Sequence, residues 1–355
     1  MTGVTDGPKE THPTESDSPV DTLRHHGDVE ASSGLVDFAV NVQGAAPPRW
    51  LRDRLAAALD DLARYPSADH DRRAREAVAA RHGRDPGEVL VLAGSAEGFA
   101  LLPALRPRLA AIVHPGFTEP EAALRTAGVP VAHVLTTGDH RLDPAAVPEE
   151  ADLVVVGNPT NPTGVLHANL RALGRPGRTV LVDEAFLDAV PGEPGSMAGE
   201  PGFLVFRSLT KTWALAGLRA GYALGAPDLL ARLAAPRPQW PVGTLALEAV
   251  IACSEPAAVA EAAAMAGTLA AHRAHQAAAL AALPGVEVLP GVAPYLLLRV
   301  PVGTRERLRD KGIAVRRGDT FPGLGPEYVR VAVREPARVA VLVEALRAVL
   351  VGVAA

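Results

Sequence analysis

The chain has 355 residues, of which 48% are hydrophobic and 21% are charged, and its net charge is −5 with an isoelectric point near 6.1. This composition is typical of a globular protein with room for two domains, and it excludes collagen-like and wholly disordered chains. The small negative net charge provides no overall basic field for nucleic acid or anionic lipid.

Targeting and redox signals are sparse. No apolar run approaches the ~20 residues of a membrane span. The polar, acidic N-terminus has neither the basic start nor the apolar centre of a signal peptide, which predicts a cytoplasmic protein. The single cysteine, Cys253, excludes an internal disulfide framework and a cysteine-rich metal site, and we expect no metal.

The N-terminal part of the chain is predicted to precede the first domain. Residues 1–20 are expected to form a disordered tail, and residues 21–49 an N-terminal arm that is extended from Leu35 to Pro48. Helical periodicity follows at Trp50–Ala63 and at Asp71–His82, with a break at Tyr65-Pro66.

Strands and helices then alternate. Runs that are apolar on both faces favour a parallel sheet buried between helices. Residues 50–225 are therefore predicted to form a large, doubly wound, mostly parallel α/β domain. The predicted strands are Val89–Leu92, Ala110–Val113, Val129–Val134, Leu153–Val156, Val180–Val182 and Phe203–Phe206, with helices at Ala96–Leu105 and Glu119–Ala127 between them.

The pattern changes after residue 225. Residues 226–355 are predicted to form a smaller α+β C-terminal domain with a long alanine-rich helical region over roughly Leu245–Ala282. Short strands and helices follow it, at Val286–Val288, Tyr295–Val300, Thr304–Lys311, Val329–Val333 and Ala337–Val351.

Two loops that follow strands carry residues suited to a ligand, because ligands of open α/β sheets bind beyond the carboxyl ends of the strands. Gly94-Ser95 opens a helix whose free N–H groups can bind an anion, although a plain strand-to-helix turn is the favoured interpretation of this loop by itself. The string Gly157–Gly164 contains two Asn-Pro pairs, which predicts a rigid loop that presents the Asn161 amide.

Two further strand ends carry charged residues. Asp183 follows an apolar strand, where a carboxylate is costly unless it is paired, for example with a cationic ligand nitrogen. Lys211 is one of only three lysines in the chain, and it lies among hydroxyl and apolar residues eight positions before Arg219. A desolvated lysine near another cation has a lowered pKa and can form a Schiff base.

Together these loops describe a site for pyridoxal 5′-phosphate (PLP). Ser208, Thr210 and Arg219 offer donors to a phosphate, and Lys211 can capture an aldehyde. An acid that keeps the ring nitrogen protonated makes the ring an electron sink.

The strings NPTNPTG, DEAF and SLTKTWALAGLRAGY identify a family resemblance. The sequence resembles fold type I PLP-dependent enzymes of the class I/II aminotransferase group, in the branch of histidinol-phosphate aminotransferase and threonine-phosphate decarboxylase, from about His25 to about Leu350. The resemblance implies the PLP-dependent transferase fold and a homodimer with shared active sites.

The resemblance also implies roles for individual residues. Lys211 and Asp183 would be catalytic, with Lys211 holding PLP as a Schiff base and Asp183 pairing with the ring nitrogen. Further cofactor contacts are implied, with Asn161 at the ring oxygen, Phe117 stacked on the ring and Tyr65 at the phosphate of the partner subunit's cofactor. The phosphate in the same subunit would be bound by Ser95, Ala96, Ser208, Thr210 and Arg219.

Substrate contacts are implied in the arm and the C-terminal domain. Arg330 matches an arginine that binds a substrate carboxylate, and Arg316 matches a second anion ligand. The arm strings around His26, Gly27 and Asn41 resemble the decarboxylase's phosphate-binding arm, but Asp28 follows Gly27 where that family has glycine, and an inward-facing acid there would repel a phosphate.

The reaction is expected to be decarboxylation of L-threonine O-3-phosphate to (R)-1-amino-2-propanol O-phosphate in cobalamin biosynthesis. This expectation rests on the SLTK string, the partial arm and Phe186, which stands where many aminotransferases have tyrosine. The alternative is transamination of histidinol phosphate, or of another amino acid, with 2-oxoglutarate. A PLP-binding regulator is disfavoured because the first 50 residues are too short and too acidic for a DNA-binding domain, and an inactive paralogue because Lys211 and Asp183 are both present.

Overall fold

A seven-stranded sheet forms the centre of the fold in the computed structural model, which describes residues 23–31 and 34–351. Its spatial order is β2-β8-β7-β6-β5-β3-β4, and all neighbours are parallel except those that pair with β8. Its strands are β2 Val89–Leu92, β3 Ala110–His114, β4 Val131–Leu135, β5 Leu153–Gly157, β6 Thr179–Asp183, β7 Phe203–Ser208 and β8 Gly221–Leu224. The mixed α/β fold with a large, mostly parallel sheet is therefore confirmed.

Both faces of this sheet are covered by helices, as the continuous apolar runs predict. Successive strand residues point to opposite faces. Val154 and Val156 lie in one apolar cluster, whereas Leu153 and Val155 lie in another on the opposite face. The helices that pack here are α2 Arg49–Ala57, α3 Ala68–His82, α4 Ser95–Leu101, α5 Glu119–Thr126 and α6 Pro227–Ala234.

The predicted helical region Leu245–Ala282 consists of two helices, α7 Thr244–Ser254 and α8 Pro256–Ala281. They meet at a bend of 75°, because Pro256 has no N–H to continue the ladder and restricts the residue before it to extended geometry. No single described helix is long and apolar enough to span a membrane, although α7 and α8 together reach that length and composition across their bend.

The second domain is built on a four-stranded antiparallel sheet of order β12-β13-β10-β9. Because α7 and the start of α8 pack in the core of the large sheet, packing favours a domain boundary later than residue 225, and the division at 225/226 stays a prediction. The elements are β9 Glu287–Val288, β10 Tyr295–Arg299, α9 Thr304–Asp310, β11 Ile313–Ala314, β12 Arg316–Arg317, β13 Tyr328–Ala332 and α10 Pro336–Leu350.

The N-terminal arm joins this second domain. Its strand β1, Val36–Asp37, pairs in parallel with β11, and Phe38 is buried in the apolar core of the small sheet. A single turn of helix, α1 Gly27–Glu30, comes before it. The predicted tail, residues 1–20, lies outside the described residues.

Candidate active site

Lys211 lies in the turn between β7 and β8, at the edge of the large sheet where the predicted loops meet. Its Nζ is 5.9 Å from the centre of the Phe186 ring, and its backbone oxygen accepts a hydrogen bond from the Gln43 N–H at 2.9 Å. Burial, with Arg330 and Arg219 nearby, lowers the pKa of Lys211 to about 8. About a tenth of this amine is therefore uncharged at pH 7, far more than for an ordinary lysine, and the uncharged form is the one that acts as a nucleophile or base.

An anion cradle lies beside the lysine. Ser95 begins α4, and a Cβ placed on Gly94 would lie 2.8 Å from Nη2 of Arg219, so the guanidinium sits directly against the start of that helix. Ser208 and Thr210, both buried, are joined by a hydrogen bond from the Thr210 N–H to the Ser208 Oγ at 3.2 Å. Free N–H groups, hydroxyls and a cation in one place fit a phosphate.

Two polar side chains lie at the ends of the neighbouring strands β5 and β6. Asp183 ends β6, and burial raises its pKa to about 7 although the Ala185 N–H donates to its Oδ1 at 3.1 Å. Asn161 follows β5, and its Oδ1 accepts a hydrogen bond from Nη1 of Arg330 at 2.5 Å. The raised pKa shows that Asp183 lacks enough positive charge around it in the protein alone, so a cationic ligand nitrogen is its natural partner.

Aromatic rings border the same space. Phe117 lies after β3, half-buried, with its ring centre 5.3 Å from that of His26 and 5.7 Å from that of Phe99. Phe186 is buried and packs edge-on against Tyr295 at 5.0 Å. Phe186 therefore brings a ring but no hydroxyl to within reach of Lys211.

Arg330 and Arg316 stand opposite each other on the adjacent strands β13 and β12. Arg330 is 5% exposed, and its Nη2 donates to the Ala39 carbonyl at 2.5 Å in addition to the bond with Asn161. Arg316 is 2% exposed, and it donates to the backbone carbonyls of His25 and Arg317 at 2.6 and 3.0 Å. The register thus brings together two guanidinium groups that are 14 positions apart in the chain.

The arm residues approach the site in different ways. Gly27 lies so close to the backbone that a Cβ would meet the Ala39 oxygen at 2.7 Å and Nη2 of Arg330 at 3.5 Å. Nε2 of His26 is hydrogen-bonded to Glu119 at 2.5 Å, which leaves this nitrogen occupied rather than turned to a substrate. Asn41 is 3% exposed, and its Oδ1 has no hydrogen-bond partner within residues 23–31 and 34–351.

Tyr65 does not join these residues in the single chain. Its side chain is 75% exposed and stacks on Trp240, itself 52% exposed, with ring centres 4.2 Å apart. An exposed aromatic pair is what a tyrosine that serves a second subunit would present.

Some site residues are absent from the sequence-based set. Tyr295 is buried under Arg330, and its hydroxyl donates to the Thr160 carbonyl at 3.0 Å, which fixes the Asn-Pro loop. Arg207 and Glu184 form a buried ion pair at 2.8 Å, which ties the strand end that bears Asp183 to the one that bears Ser208. Only the pairing of distant strands brings these groups together, and no local pattern predicts their contacts, although Glu184 lies within the DEAF string.

A His-Glu-His cluster lies behind Phe117, in a place where the sequence suggested no metal-ligand spacing. Nε2 of His114 and Nε2 of His133 contact the two carboxylate oxygens of Glu121 at 2.9 and 2.7 Å. Nε of Arg125 binds the same carboxylate at 2.6 Å, and these bonds lower the pKa of Glu121 to about 2 against the opposing effect of its burial. The Glu121 carboxylate thus has three partners, whereas Nδ1 of His114 is buried with no hydrogen-bond partner among the described residues.

Comparisons with known proteins decide the family. Residues 33–346 match the family model "Aminotransferase class I and II". The chain belongs to this family. It is 56% identical over 335 residues to a histidinol-phosphate aminotransferase of Mycobacterium tuberculosis, covering 92% of each chain, and 33% identical over 344 residues to the threonine-phosphate decarboxylase of Salmonella typhimurium, covering 90% and 92%.

Solved structures agree on the fold. The crystal structure of the histidinol-phosphate aminotransferase from Clostridium acetobutylicum superimposes with a TM-score of 0.82 at 22% identity, over 90% of this chain and all of that one. The family and fold identify PLP as the cofactor. The residues present fit this cofactor. Arg219 beside Gly94 can bind its phosphate, Lys211 with its lowered pKa can react with its aldehyde, and the Asp183 carboxylate can pair with its ring nitrogen.

Proposed function

We propose that this family member is a PLP-dependent aminotransferase that transfers the amino group of histidinol phosphate to 2-oxoglutarate. The relative that shares 56% identity carries that name, whereas the one named for decarboxylation shares 33%. These similarities favour the alternative of the sequence analysis over the decarboxylation expected there.

The observation that carries the proposal is the paired, buried Arg316 and Arg330. Side chains directly opposite on neighbouring strands have Cβ atoms about 4.5–5.5 Å apart. An aminotransferase must hold two different substrates in turn at one site, and two adjacent guanidinium groups match both the two carboxylates of 2-oxoglutarate and the phosphate of histidinol phosphate.

The side chains have separate tasks in this reaction. Bound PLP supplies an electron sink for the carbanion that forms when a proton leaves the substrate. Lys211, whose pKa is lowered to about 8, takes that proton and returns it. Asp183 holds a proton at the ring nitrogen. In the half-reaction that forms glutamate, the guanidinium of Arg330, fixed by Asn161 and Ala39, keeps the α-carboxylate from moving into the position from which it would be lost as carbon dioxide.

Decarboxylation of L-threonine O-3-phosphate is the second candidate, and one observation favours it. Phe186 faces Lys211 with no hydroxyl, a choice that resembles the decarboxylase side of the branch. This substrate also carries a phosphate and a carboxylate, which the same arginine pair suits.

Two parallel incubations separate the candidates. In the first, PLP-loaded protein receives histidinol phosphate and 2-oxoglutarate, and glutamate is followed over many turnovers. In the second, it receives L-threonine O-3-phosphate without a keto acid, and carbon dioxide is followed. We expect sustained glutamate formation that requires both substrates and no sustained carbon dioxide release. The reverse pattern would replace the proposal by the second candidate, and Lys211→Ala protein provides the blank.

We also propose that the enzyme is a cytoplasmic homodimer in which Tyr65 serves the partner's site. The exposed Tyr65–Trp240 stack supports this. Mixing the Lys211→Ala and Tyr65→Ala proteins tests it, since mixed dimers would regain one complete site per dimer. An activity that equals the sum of the two unmixed variants would contradict the shared site.

A further inference from the structure

The arm segment Asp37–Val42 is bound by two arginines of the C-terminal domain. Nη2 of Arg330 donates a hydrogen bond to the Ala39 carbonyl at 2.5 Å. The Arg334 guanidinium donates to three other carbonyls of the segment at 3.3, 2.6 and 3.2 Å, those of Asp37, Val40 and Val42. Arg334 therefore binds the backbone both before and after the carbonyl that Arg330 uses.

This part of the arm lies outside regular secondary structure. Strand pairing ends at Asp37, and Phe38 makes the last backbone hydrogen bonds to the C-terminal domain. Between Phe38 and Gln43, whose N–H reaches the Lys211 carbonyl, the described chain makes no backbone–backbone hydrogen bond. The course of this stretch therefore depends on side chains, and the Arg334 guanidinium binds it at several points.

Arg334 is itself fixed in the C-terminal domain. Its N–H donates at 3.0 Å to Oε1 of Gln276, a fully buried residue of α8 whose Nε2 donates to the Ala332 carbonyl at 3.1 Å. Nη1 of Arg334 also donates to the Val333 carbonyl at 3.2 Å, and Nη2 lies 3.8 Å from the Asp37 carboxylate. A guanidinium is permanently charged, and a charged donor makes stronger hydrogen bonds than a neutral one. The side chain thus ties the arm to a well-packed part of the fold.

We propose that Arg334 is a positioning residue of the active site, which holds the arm so that the Ala39 carbonyl fixes the Arg330 guanidinium in the orientation that a substrate carboxylate needs. The inference rests on the proposed function, in which Arg330 binds that carboxylate. In this role Arg334 contacts neither substrate nor cofactor, and it acts through Ala39.

The orientation of Arg330 depends on two hydrogen bonds, from Nη1 to Asn161 and from Nη2 to Ala39. Its Nε is buried and has no hydrogen-bond partner within residues 23–31 and 34–351, so this donor is left for a ligand. A planar guanidinium binds a carboxylate well only when its plane is correctly set. If the arm shifts, the bond to Ala39 is lost and the guanidinium turns about its bond to Asn161.

The test measures glutamate affinity and reaction rate separately. PLP-loaded enzyme is mixed with increasing concentrations of glutamate, and conversion to the pyridoxamine form is followed by cofactor absorbance in single turnovers, which gives an apparent dissociation constant and a limiting rate. The proteins are wild type, Arg334→Met, Arg334→Lys and the control Arg338→Met. Arg338 is 53% exposed and pairs with Glu335 at 3.3 Å.

We expect Arg334→Met to raise the apparent dissociation constant of glutamate by about 10- to 100-fold, the range for one hydrogen bond that involves a charged group. The limiting rate should change by less than about 3-fold and PLP should be retained on dialysis, because the cofactor side is untouched. Arg334→Lys should give an intermediate loss, since an ammonium restores the charge but cannot bind the same carbonyls in one plane. Arg338→Met should behave as wild type.

Two results would overturn the inference. One is an unchanged affinity for glutamate in the Arg334 variants, and Arg334→Lys decides this alone if the methionine variant does not fold. The other is an equal loss of glutamate affinity, limiting rate and PLP retention, which would show that Arg334 supports the fold in general.

Hydrogen exchange of the arm separates this inference from the proposed function, because it needs no substrate. The amides of Ala39, Val40 and Gln43 are hydrogen-bonded, and they should exchange at least about 10-fold faster in Arg334→Met than in wild type or Arg338→Met. Unchanged exchange would show that Arg334 does not hold the arm. If wild-type enzyme does not react with glutamate, the proposed function is wrong, and the same proteins are then compared by their KM for L-threonine O-3-phosphate, which also carries a carboxylate.

Discussion

The two sides of the active site are built differently. On the cofactor side, Asp183 ends β6, while Asn161 and Lys211 lie within four residues of the ends of β5 and β7, so the parallel pairing of these three strands brings the side chains to one edge. On the substrate side, Arg330 is held by the Ala39 carbonyl of the arm and by Asn161 of the large domain. Three parts of the chain must therefore meet before the substrate side exists.

This difference separates the residues that carry out the reaction from those that select the substrate. Groups on rigid strand ends keep the precision that a fixed cofactor requires. Groups supplied by an arm and a second domain move relative to them when either segment shifts, and they are the ones that contact a changing substrate. Changes on the cofactor side should therefore remove all activity, whereas changes on the substrate side should alter the preference between substrates.

Lys211→Ala is expected to have the largest effect. Removal of the amine eliminates both covalent retention of PLP and the base that moves the proton, so turnover of every amine substrate should fall by at least about 1,000-fold. Steady-state rates and the visible absorbance of the cofactor measure this. The control is Lys311→Ala at the end of α9, which should behave as wild type. A Lys211→Ala enzyme with near-normal turnover would contradict the assignment of the cofactor side.

Arg330→Lys should give a smaller and selective loss. A lysine cannot reach Asn161 and the Ala39 carbonyl together in the planar geometry of a guanidinium. We expect kcat/KM for glutamate, whose carboxylate needs this group, to fall by about 100-fold. The control Arg299→Lys, on the neighbouring strand β10 and largely exposed, should leave it unchanged. Equal losses for glutamate and for an amine that has neither a carboxylate nor a phosphate would show that Arg330 acts on the fold instead.

The same contrast governs what sequence reasoning could reach. The apolar runs predicted six strands of the large sheet close to their observed positions, and the strand-end motifs marked Lys211, Asp183 and Asn161, because local signals produce these features. Strand β8 is absent from the predicted strands, since Gly221–Leu224 is short and directly continues the lysine turn.

The substrate side was only partly readable. A family match pointed to Arg316 and Arg330 individually, but their direct opposition depends on the register of β12 and β13, which no local pattern reveals. The same holds for the bond between Nε2 of His26 and Glu119, residues 93 positions apart, while a substrate contact of His26 stays a prediction. Contacts between distant segments are set by packing, not by nearby sequence.

Asp183→Asn should stabilise the PLP-free fold at alkaline pH, because the buried Asp183 carboxylate destabilises the folded chain when it is ionised. Since the pKa of Asp183 in the folded chain is about 7, above its ordinary 3.8, folding loses a favourable contribution as pH rises from about 4 to about 7. The PLP-free variant should therefore melt at a higher temperature than PLP-free wild type at pH 8, with the difference vanishing near pH 4. With PLP and substrates the variant should lose at least about 100-fold in rate, because the ring nitrogen no longer stays protonated. Thermal melts at the two pH values measure the first effect, and a difference that grows towards pH 4 would contradict it.

Phe186→Tyr should have the smallest effect and tests where the two sides of the site meet. The centre of the Phe186 ring lies 5.9 Å from Nζ of Lys211 and 5.0 Å from the centre of the Tyr295 ring, and many aminotransferases have a tyrosine at this position, so an added hydroxyl is expected to reach the ring oxygen of PLP. A new donor to the anionic ring oxygen stabilises the form that remains when the linked lysine nitrogen loses its proton. We expect the pH midpoint of the cofactor absorbance to fall by less than about one unit, while turnover of histidinol phosphate changes by only a few-fold. A rate change of 100-fold or more, or a switch from glutamate formation to carbon dioxide release, would show that this ring decides which reaction occurs. A residue of the cofactor side would then also take part in selecting the substrate.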